Sequence, residues 1–366
     1  MMNLGRYSLH NTLDKLTKKK SLTIGYIGGS ITKGGGASDN ELYSWRALTT
    51  CWFRETYPDS SILEINAALS GTGSDLGAFR CAVELLPYYP DLVFVEFAVN
   101  DGGLPKERSL RGIEGIVRQI LSQDVRTDIV FIYTTSRDSA IEYYGQGKLF
   151  HTIINHEKVA EHYGIPSINV GKALWEEIQE GKGSWELLTP DNTHPSDAGY
   201  RIYARIVREF LEEQMKNGVP EKFEKIMPNL LTQNPFEKTS MVFAQTLEQS
   251  GWKQRVQFIE NRPFPMIYSN QPGDSLTLKF TGTVIGTYWL VTPDSGDIEW
   301  SIDGGETATT SSWDYYALEY PLRINYKILD DSLEPGEHIL IIRISSKKQP
   351  KSEGTWIRLG AFLVGE

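Results

Sequence analysis

One serine stands in a segment with very little side-chain bulk. Ser30 lies in IGYIGGSITKGGG, residues 24–36, directly after an apolar run at 22–27. Small neighbours would let a carbonyl carbon approach its hydroxyl and let backbone N–H groups stabilise a developing oxyanion. The segment lacks the Gly-Lys-Ser/Thr ending of a P-loop and the G-x-G-x-x-G of a dinucleotide site. Thr32 replaces the second glycine of an α/β-hydrolase elbow, and a glycine-rich loop with an incidental serine is the alternative.

A serine nucleophile needs a base, and one of the six histidines is well placed to supply it. His194 lies in TPDNTHPSDAGY, three residues after Asp191. Pro195 disfavours a helical backbone at His194, so a tight loop can bring the carboxylate to Nδ1 and leave Nε2 for the serine. The alternative is that Asp191 only caps the next helix. The other histidines are interpreted as surface or packing residues: His10, His151, His156, His162 and His338.

Two more candidate groups follow apolar runs. Gly71 lies in INAALSGTGSD, and Asn100 with Asp101 ends VFVEFAVND. A glycine N–H and an asparagine amide are donor types that stabilise an oxyanion. Both residue types also favour turns for local reasons, so neither is decisive alone.

The elements that must position these groups alternate in the first two-thirds of the chain. Short apolar runs with strand length are separated by helix-length segments, and they occupy 22–27, 62–67, 92–97, 129–133 and 167–170. Apolar stripes with helical spacing occur at 113–121 and 203–211. This pattern predicts a parallel sheet with helices on both faces, whose strand ends gather the candidate groups.

The pattern of apolar and polar residues changes after residue 216. A polar stretch with three prolines runs to 236, and beyond it apolar and polar residues alternate, as at 275–280 and 298–302. Turn sequences DGG and EPGE separate these runs. We therefore predict a catalytic domain with its linker at 1–232 and an antiparallel β-sandwich, jelly-roll-like, at 233–366.

The four candidate segments, in this order, resemble the blocks of the SGNH hydrolases in the GDSL esterase superfamily. Ser30 matches the block I serine, Gly71 the block II glycine, Asn100 the block III asparagine, and Asp191 with His194 the block V D-x-x-H. The resemblance covers about residues 20–215. It implies a flavodoxin-like, three-layer α/β/α domain, a catalytic triad of Ser30, His194 and Asp191, and an oxyanion hole formed by Ser30, Gly71 and Asn100.

The sequence departs from the common family pattern at two positions. Block I reads GGS rather than GDS, and Ala98 stands where the family often has glycine, which adds a methyl group near the oxyanion region. The GGSIT variant with a trailing β-domain is similar to acetyl-esterases that act on carbohydrates, including acetylxylan esterases. The resemblance thus implies a serine esterase for small acyl groups, with acetylated sugars or oligosaccharides as substrates.

Other functions stay open at this point. One is a catalytically inactive carbohydrate-binding protein that uses aromatic residues of the second domain, namely Trp289, Trp300, Trp313, Tyr315 and Tyr316. Aromatic residues in a sandwich usually belong to its core. Another is an esterase, thioesterase or lipase for longer acyl chains.

Composition narrows the range of partners and compartments. A formal net charge of -10 and the lack of a basic stripe disfavour nucleic acid as a partner. No apolar stretch has the length of a membrane span. Two cysteines, Cys51 and Cys81, form no disulfide framework, so we expect buried free thiols and a cytoplasmic protein. No metal-ligand spacing is visible, the chemistry requires no cofactor, and a homo-oligomer is left open.

Overall fold

The computed structural model describes residues 9–216, 218 and 225–366. The chain divides into two compact units, Met1–Glu237 and Lys238–Glu366. The helices of the first unit are α1 (His10–Thr17), α2 (Ser30–Lys33), α3 (Asn40–Tyr43), α4 (Trp45–Thr56), α5 (Ser74–Glu84), α6 (Lys106–Gln123), α7 (Arg137–Tyr143), α8 (His151–Tyr163), α9 (Val170–Gln179), α10 (Trp185–Leu188) and α11 (Asp197–Lys216). The predicted helical stripes at 113–121 and 203–211 lie on α6 and α11 and are buried.

A parallel sheet of five strands forms the centre of this unit. Its strands are β1 (Leu22–Gly28), β2 (Ile62–Asn66), β3 (Leu92–Glu96), β4 (Asp128–Tyr133) and β5 (Ser167–Asn169). The spatial order is β2-β1-β3-β4-β5, and all neighbours are parallel. This is the flavodoxin-like order. The prediction is confirmed, since each predicted run matches a strand to within one residue at either end.

Helices cover both faces of the sheet. Tyr26 and its register partner Phe94 face α4, where the ring of Trp45 meets that of Tyr26 edge to face at 5.4 Å. One residue further along, the side chains point to the opposite face, where Phe131 of β4 contacts His156 of α8. The chain passes from β1 to β2 on one side and returns to β3 on the other. Open sheets bind ligands beyond the strand ends at such a switch point.

The second unit consists of two antiparallel sheets. Its strands are β6 (Thr239–Phe243), β7 (Lys253–Ile259), β8 (Arg262–Ser269), β9 (Ser275–Gly282), β10 (Val284–Val291), β11 (Asp297–Ile302), β12 (Ala308–Ser311), β13 (Arg323–Asp330), β14 (Gly336–Ile344) and β15 (Ile357–Gly365). One sheet has the order β13-β10-β15-β8-β7, with β6 also paired to β15, and the other has the order β12-β11-β14-β9. Burial alternates along β9 as its sequence predicts. The predicted β-sandwich class is confirmed.

Aromatic residues of this unit divide between core and surface. Trp289 and Trp313 are buried in the core, and Trp300 packs against it partly buried. Tyr315 and Tyr316 are each 64% exposed. The tryptophans therefore follow the core interpretation, and the two tyrosines do not.

The observed division lies after Glu237, five residues beyond the predicted boundary at 232/233. Residues 231–237 belong with the first unit because they bind α6. Glu114 accepts the backbone N–H groups of Leu231 and Thr232 at 2.6 and 2.7 Å, and Arg118 pairs with Glu237. The sequence shows where the apolar periodicity changes. It does not show how far the chain continues to contact the first unit.

The two cysteines differ in their exposure to solvent. Both cysteines are free; Cys81 is buried as predicted, but Cys51 is exposed and donates to Glu55 Oε1 at 3.4 Å. The expectation of two buried thiols is therefore wrong for Cys51, which lies on the solvent side of α4.

Among the described residues, none of the helices has both the length and the apolar character needed to cross a bilayer.

Candidate active site

The turn that carries Ser30 is built from the end of β1. Gly29 is extended, with φ of -89° and ψ of -156°, and Ser30 begins the short helix α2. Gly34 ends this helix with φ of 109°, a left-handed conformation that favours glycine. Tyr200 of α11 donates its hydroxyl to the carbonyl oxygens of Ile31 and Gly35, at 3.0 and 2.7 Å. The turn is therefore fixed from both the sheet and α11.

A continuous hydrogen-bonded chain links three of the predicted residues. His194 Nε2 lies 2.8 Å from Ser30 Oγ, and His194 Nδ1 lies 2.7 Å from Asp191 Oδ2. Ser30 and His194 are 164 residues apart in sequence. With Nδ1–H donating to the carboxylate, Nε2 is left as the acceptor for the serine hydroxyl proton. This arrangement can activate a serine hydroxyl as a nucleophile.

The loop that carries the imidazole and carboxylate is stabilised within itself. Asp191 Oδ1 accepts the backbone N–H groups of Thr193 at 3.0 Å and of His194 at 2.7 Å. No helix covers 191–194, and α11 begins only at Asp197, as the Pro195 argument predicts. The carboxylate therefore organises its own loop and binds the imidazole, rather than capping α11.

Hydrogen bonding outweighs burial at Asp191. Burial acts to raise the pKa of this carboxyl, but the hydrogen bonds from His194 and Thr193 lower its pKa below the usual value. The side chains of His194 and Asp191 remain 27% and 54% exposed. The group is thus held as a carboxylate at a site that solvent and substrate can reach.

Asn100 reaches the turn that carries Ser30. It begins the 3₁₀ turn Asn100–Gly103, four positions after the last residue of β3, and packs on Gly29, where an added Cβ would lie 2.0 Å from Asn100 Oδ1. Only glycine at position 29 permits this approach. The side-chain amide is thereby brought beside the residue that precedes the serine.

Gly71 lies on the adjoining loop between β2 and α5. Its φ is 69°, and the space next to its Cα is open, with nothing within 4 Å of an added Cβ. The link from Gly71 to Ser30 is indirect, because the base of this loop is bonded to β1 through the Leu69 N–H and the Gly28 carbonyl at 2.9 Å. Gly71 therefore borders the same strand ends as Ser30 and Asn100.

Sequence reasoning missed a buried carboxylate beneath the serine turn. Glu96, the last residue of β3, is 1% exposed and accepts the hydroxyls of Thr32 and Thr134 at 2.8 and 2.7 Å. Burial raises its pKa, while these hydroxyls and the backbone N–H groups of Gly29 and Thr32 act to lower it. The signal that could have found it is a charged residue inside an otherwise apolar strand.

Two further expectations can be compared with the structure. Ala98 is fully buried and its carbonyl accepts the Thr152 hydroxyl at 2.6 Å, so its methyl group does not line an accessible acyl site. His156, interpreted as a surface or packing residue, is 1% exposed and bonds to Asp101 at 2.9 Å. Among the described residues, no group of three or more His, Cys, Asp or Glu side chains is arranged to hold a metal ion.

Comparison with solved structures finds proteins that resemble this chain over both units. A two-domain esterase active on acetylated mannans matches with a TM-score of 0.85 at 22% identity, over 100% of this chain and 99% of that chain. Its structure co-crystallised with mannopentaose matches with a TM-score of 0.82 at 21% identity, over 100% and 98%. An acetyl xylan esterase from Geobacillus stearothermophilus matches with a TM-score of 0.43 at 19% identity, over 53% and 96%. At these identities, the two-domain matches show a shared fold.

Sequence comparison with family models matches a part of the first unit. Among curated proteins, none matches this sequence. The model of the GDSL-like lipase/acylhydrolase family matches residues 26–202, a range that contains Ser30, Gly71, Asn100, Asp191 and His194. Residues 26–202, within the first unit, are therefore similar to the GDSL-like lipase/acylhydrolase family.

Proposed function

We propose that this protein is a serine esterase that removes small acyl groups, above all acetyl, from hydroxyl groups of sugars or oligosaccharides. The observation that carries the proposal is the chain of hydrogen bonds from Ser30 through His194 to Asp191, at 2.8 and 2.7 Å. It supplies a nucleophile, a base and a group that orients the base, in an open site. These are the components of acyl transfer through a covalent intermediate.

In the first half of the reaction, Ser30 Oγ bonds to the ester carbonyl carbon while its proton passes to His194 Nε2. The carbonyl π electrons become the oxyanion of a tetrahedral intermediate. When the intermediate collapses, the bond to the alcohol oxygen breaks, and that oxygen takes the proton from His194. The sugar hydroxyl leaves, and the acyl group remains on Ser30.

In the second half, water replaces the alcohol. His194 Nε2 takes a proton from the water as its oxygen bonds to the acyl carbon, and a second oxyanion forms. Collapse breaks the bond to Ser30 Oγ, which regains a proton from His194, and the carboxylic acid is released. Asp191 stays ionised throughout and stabilises the charged imidazole.

The oxyanion of both halves needs preorganised donors. We assign this role to the backbone N–H groups of Ser30 and Gly71 and to the side-chain amide of Asn100. Ser30 is the first residue of α2, a position whose N–H has no acceptor within the helix. One such donor is typically worth about 2.7 to 4 kcal/mol of transition-state stabilisation.

The substrate class rests on the openness of the site and on the two-domain relative. A His194 side chain that is 27% exposed can be reached by an ester whose alcohol part is bulky. The relative that matches over the full chain is described as active on acetylated mannans. We therefore propose acetyl groups on mannose- or xylose-based oligosaccharides as the first substrates to test.

The test is hydrolysis of p-nitrophenyl acetate by the wild type and by Ser30→Ala. Loss of turnover in Ser30→Ala is expected, and Ser122→Ala, which alters an exposed serine on α6, serves as a control that keeps activity. Persisting wild-type turnover in Ser30→Ala would contradict the proposal.

A panel of substrates then defines the acyl and alcohol parts. Acetate, butyrate and octanoate esters report the acyl limit, because a confined acyl site rejects the longer chains. Acetylated manno- and xylo-oligosaccharides report the alcohol part by release of acetate. Preference for octanoate over acetate would favour a lipase-like function, and no turnover of any ester would favour a carbohydrate-binding protein.

We also propose that the protein works in the cytoplasm. Its two cysteines are free, which suits a reducing compartment. Fractionation of the source cells tests this proposal, and recovery in the extracellular fraction would contradict it.

A further inference from the structure

A second carboxylate lies next to the proposed oxyanion donor and is completely enclosed. Asp101 follows Asn100 in the 3₁₀ turn after β3 and has no exposed surface. Its Oδ1 accepts the backbone N–H of Ser74 at 2.8 Å. Its Oδ2 is bonded by the hydroxyls of Ser74 at 2.6 Å and Ser109 at 2.7 Å, and by His156 Nε2 at 2.9 Å.

These bonds join the two loops that carry the proposed oxyanion donors. Ser74 is the first residue of α5 and lies three positions after Gly71, whereas Asp101 is covalently adjacent to Asn100. Ser74 donates to the carboxylate twice, through its N–H and its hydroxyl, across 27 residues of sequence. One side chain therefore links the Gly71 loop to the Asn100 turn through two hydrogen bonds.

The surrounding helices hold this carboxylate closely. Gly112 of α6 lets that helix approach, since a Cβ there would lie 2.6 Å from the Asp75 nitrogen and 2.8 Å from Ser74 Oγ. From α8, His156 bonds to Asp101, and Thr152, one helical turn earlier, donates to the Ala98 carbonyl at 2.6 Å. The Asn100 turn is thus held by α8 on both sides of the asparagine.

Burial of a carboxylate costs free energy unless it is paired and hydrogen-bonded, and the hydrogen bond from His156 offsets part of that cost. The imidazole is 1% exposed, and its ring centroid lies 6.4 Å from that of Phe131 and 6.2 Å from that of Tyr133. An ionised carboxylate only accepts hydrogen bonds, so with Asp101 ionised the proton is on His156 Nε2. Removing either partner leaves a buried polar group unsatisfied.

We infer that Asp101 is a positioning residue for hydrolysis, which holds the Gly71 N–H and the Asn100 amide at the spacing that the oxyanion requires, with His156 as its buried partner. The inference rests on the proposed function. Oxyanion donors act because they are fixed before the reaction, and a displacement of about 1 Å can cost about 10²-fold in rate. Asp101 contacts no reacting atom and acts through the donors.

The first experiment replaces Asp101 by asparagine and compares it with a matched change elsewhere. An amide cannot accept from all four donors, so we expect kcat for p-nitrophenyl acetate to fall about 10- to 100-fold with little change in KM. Glu114→Gln is the control, because Glu114 is also fully buried and accepts from Tyr163, Leu231 and Thr232 at a segment outside the site. We expect it to lower the melting temperature while kcat stays within about two-fold.

If Asp101→Asn does not fold, two less disruptive variants test the inference while they keep the carboxylate. Ser74→Ala and Ser109→Ala each remove one hydroxyl from Asp101 Oδ2, at nearly equal distances. Only Ser74 belongs to the segment that carries Gly71. We expect Ser74→Ala to lower kcat about 3- to 10-fold and Ser109→Ala to lower it by a smaller factor, whereas equal effects would overturn the inference.

A double-mutant cycle with Asn100→Ala distinguishes positioning from general damage. If Asp101 acts through the donors, Asp101→Asn costs much less kcat in the Asn100→Ala background than in the wild type. Purely additive losses would overturn the inference. If activity is lost in Ser30→Ala but intact in Asp101→Asn, only this inference fails; if the wild type hydrolyses no ester, the proposed function fails and the inference with it.

Discussion

Replacement of Asp191 by asparagine separates the two tasks of this carboxylate. Its Oδ1 accepts two backbone N–H groups of its own loop, and its Oδ2 accepts His194 Nδ1–H at 2.7 Å. Asparagine keeps one oxygen for the backbone but turns an NH₂ group toward Nδ1. Since the amide donates, it favours the tautomer with the proton on Nε2, which cannot take the proton of Ser30. The loop should persist while the base is lost.

The expected loss of kcat in Asp191→Asn depends on how exposed the Asp191 side chain is to solvent. In triads with a buried aspartate, the same change lowers kcat about 10⁴-fold through the wrong tautomer. Asp191 is 54% exposed, so water can solvate the imidazolium and the amide can rotate away from Nδ1. We therefore expect a loss of about 10³-fold in kcat, or about 4 kcal/mol of activation free energy. The melting temperature should fall only slightly, because the backbone bonds remain and only the stabilisation from the ionised carboxylate is lost.

The stability difference has a defined dependence on pH. The pKa of Asp191 is lowered in the folded protein, so its ionisation stabilises the fold above the unfolded-state pKa. That contribution disappears as pH falls through the lower, folded-state pKa. The stability gap between wild type and Asp191→Asn should therefore shrink below about pH 4. Thermal unfolding at a series of pH values measures this.

The assay is initial-rate hydrolysis of p-nitrophenyl acetate at neutral pH. Asp138→Asn is the matched control, since Asp138 is an exposed carboxylate that accepts from Asn192 Nδ2 of the same loop at 3.1 Å. We expect this control to retain kcat within a few-fold. An Asp191→Asn enzyme that keeps more than a tenth of the wild-type kcat, with unchanged stability, would refute the tautomer argument.

Three further predictions concern single groups. Asn100→Ala should lower kcat for p-nitrophenyl acetate about 10²- to 10³-fold with little effect on KM; a change in KM alone would argue against an oxyanion role. Gly29→Ala should also lower kcat in the same assay, because its Cβ would lie 2.0 Å from Asn100 Oδ1, and a fully active variant would contradict this packing. In thiol titration of the folded protein, Cys51 should react slowly and Cys81 only after unfolding. Partial desolvation and the neighbouring Glu55 carboxylate raise the pKa of the exposed Cys51, and burial raises that of Cys81 to about 12; rapid loss of two thiols would contradict this.

Local sequence pattern was sufficient for the sheet and for the loop of the proposed base. The apolar runs of β1, β3, β4 and β5 are continuous because these parallel strands are almost entirely buried, whereas β2 lies at an edge of the sheet and is only partly buried. The loop of Asp191 and His194 was predictable because Pro195 restricts the backbone before it and the spacing of three lets the carboxylate cap its own loop. In both cases the determining interactions lie within a few residues of sequence.

The buried polar scaffold could not be predicted in this way. Glu96 meets Thr32 and Thr134 across 64 and 38 residues of sequence, and Asp101 meets His156 across 55. The acidic residue next to His156 in sequence is Glu157, and nothing there indicates the distant Asp101, so the sequence predicts only a surface or packing residue. Such pairs are determined by the register of packed elements, which a single sequence does not display.

The departure from the common GDS motif has a structural explanation. A side chain at position 29 would project toward Asn100, where an added Cβ comes within 2.0 Å of Oδ1 and 2.7 Å of the amide carbon. Glycine therefore lets the amide pack on the backbone next to Ser30, while Glu96 holds that backbone from below through the Gly29 and Thr32 N–H groups. Restoring aspartate there, as Gly29→Asp, should therefore impair the site rather than improve it, unless the Asn100 turn moves with it.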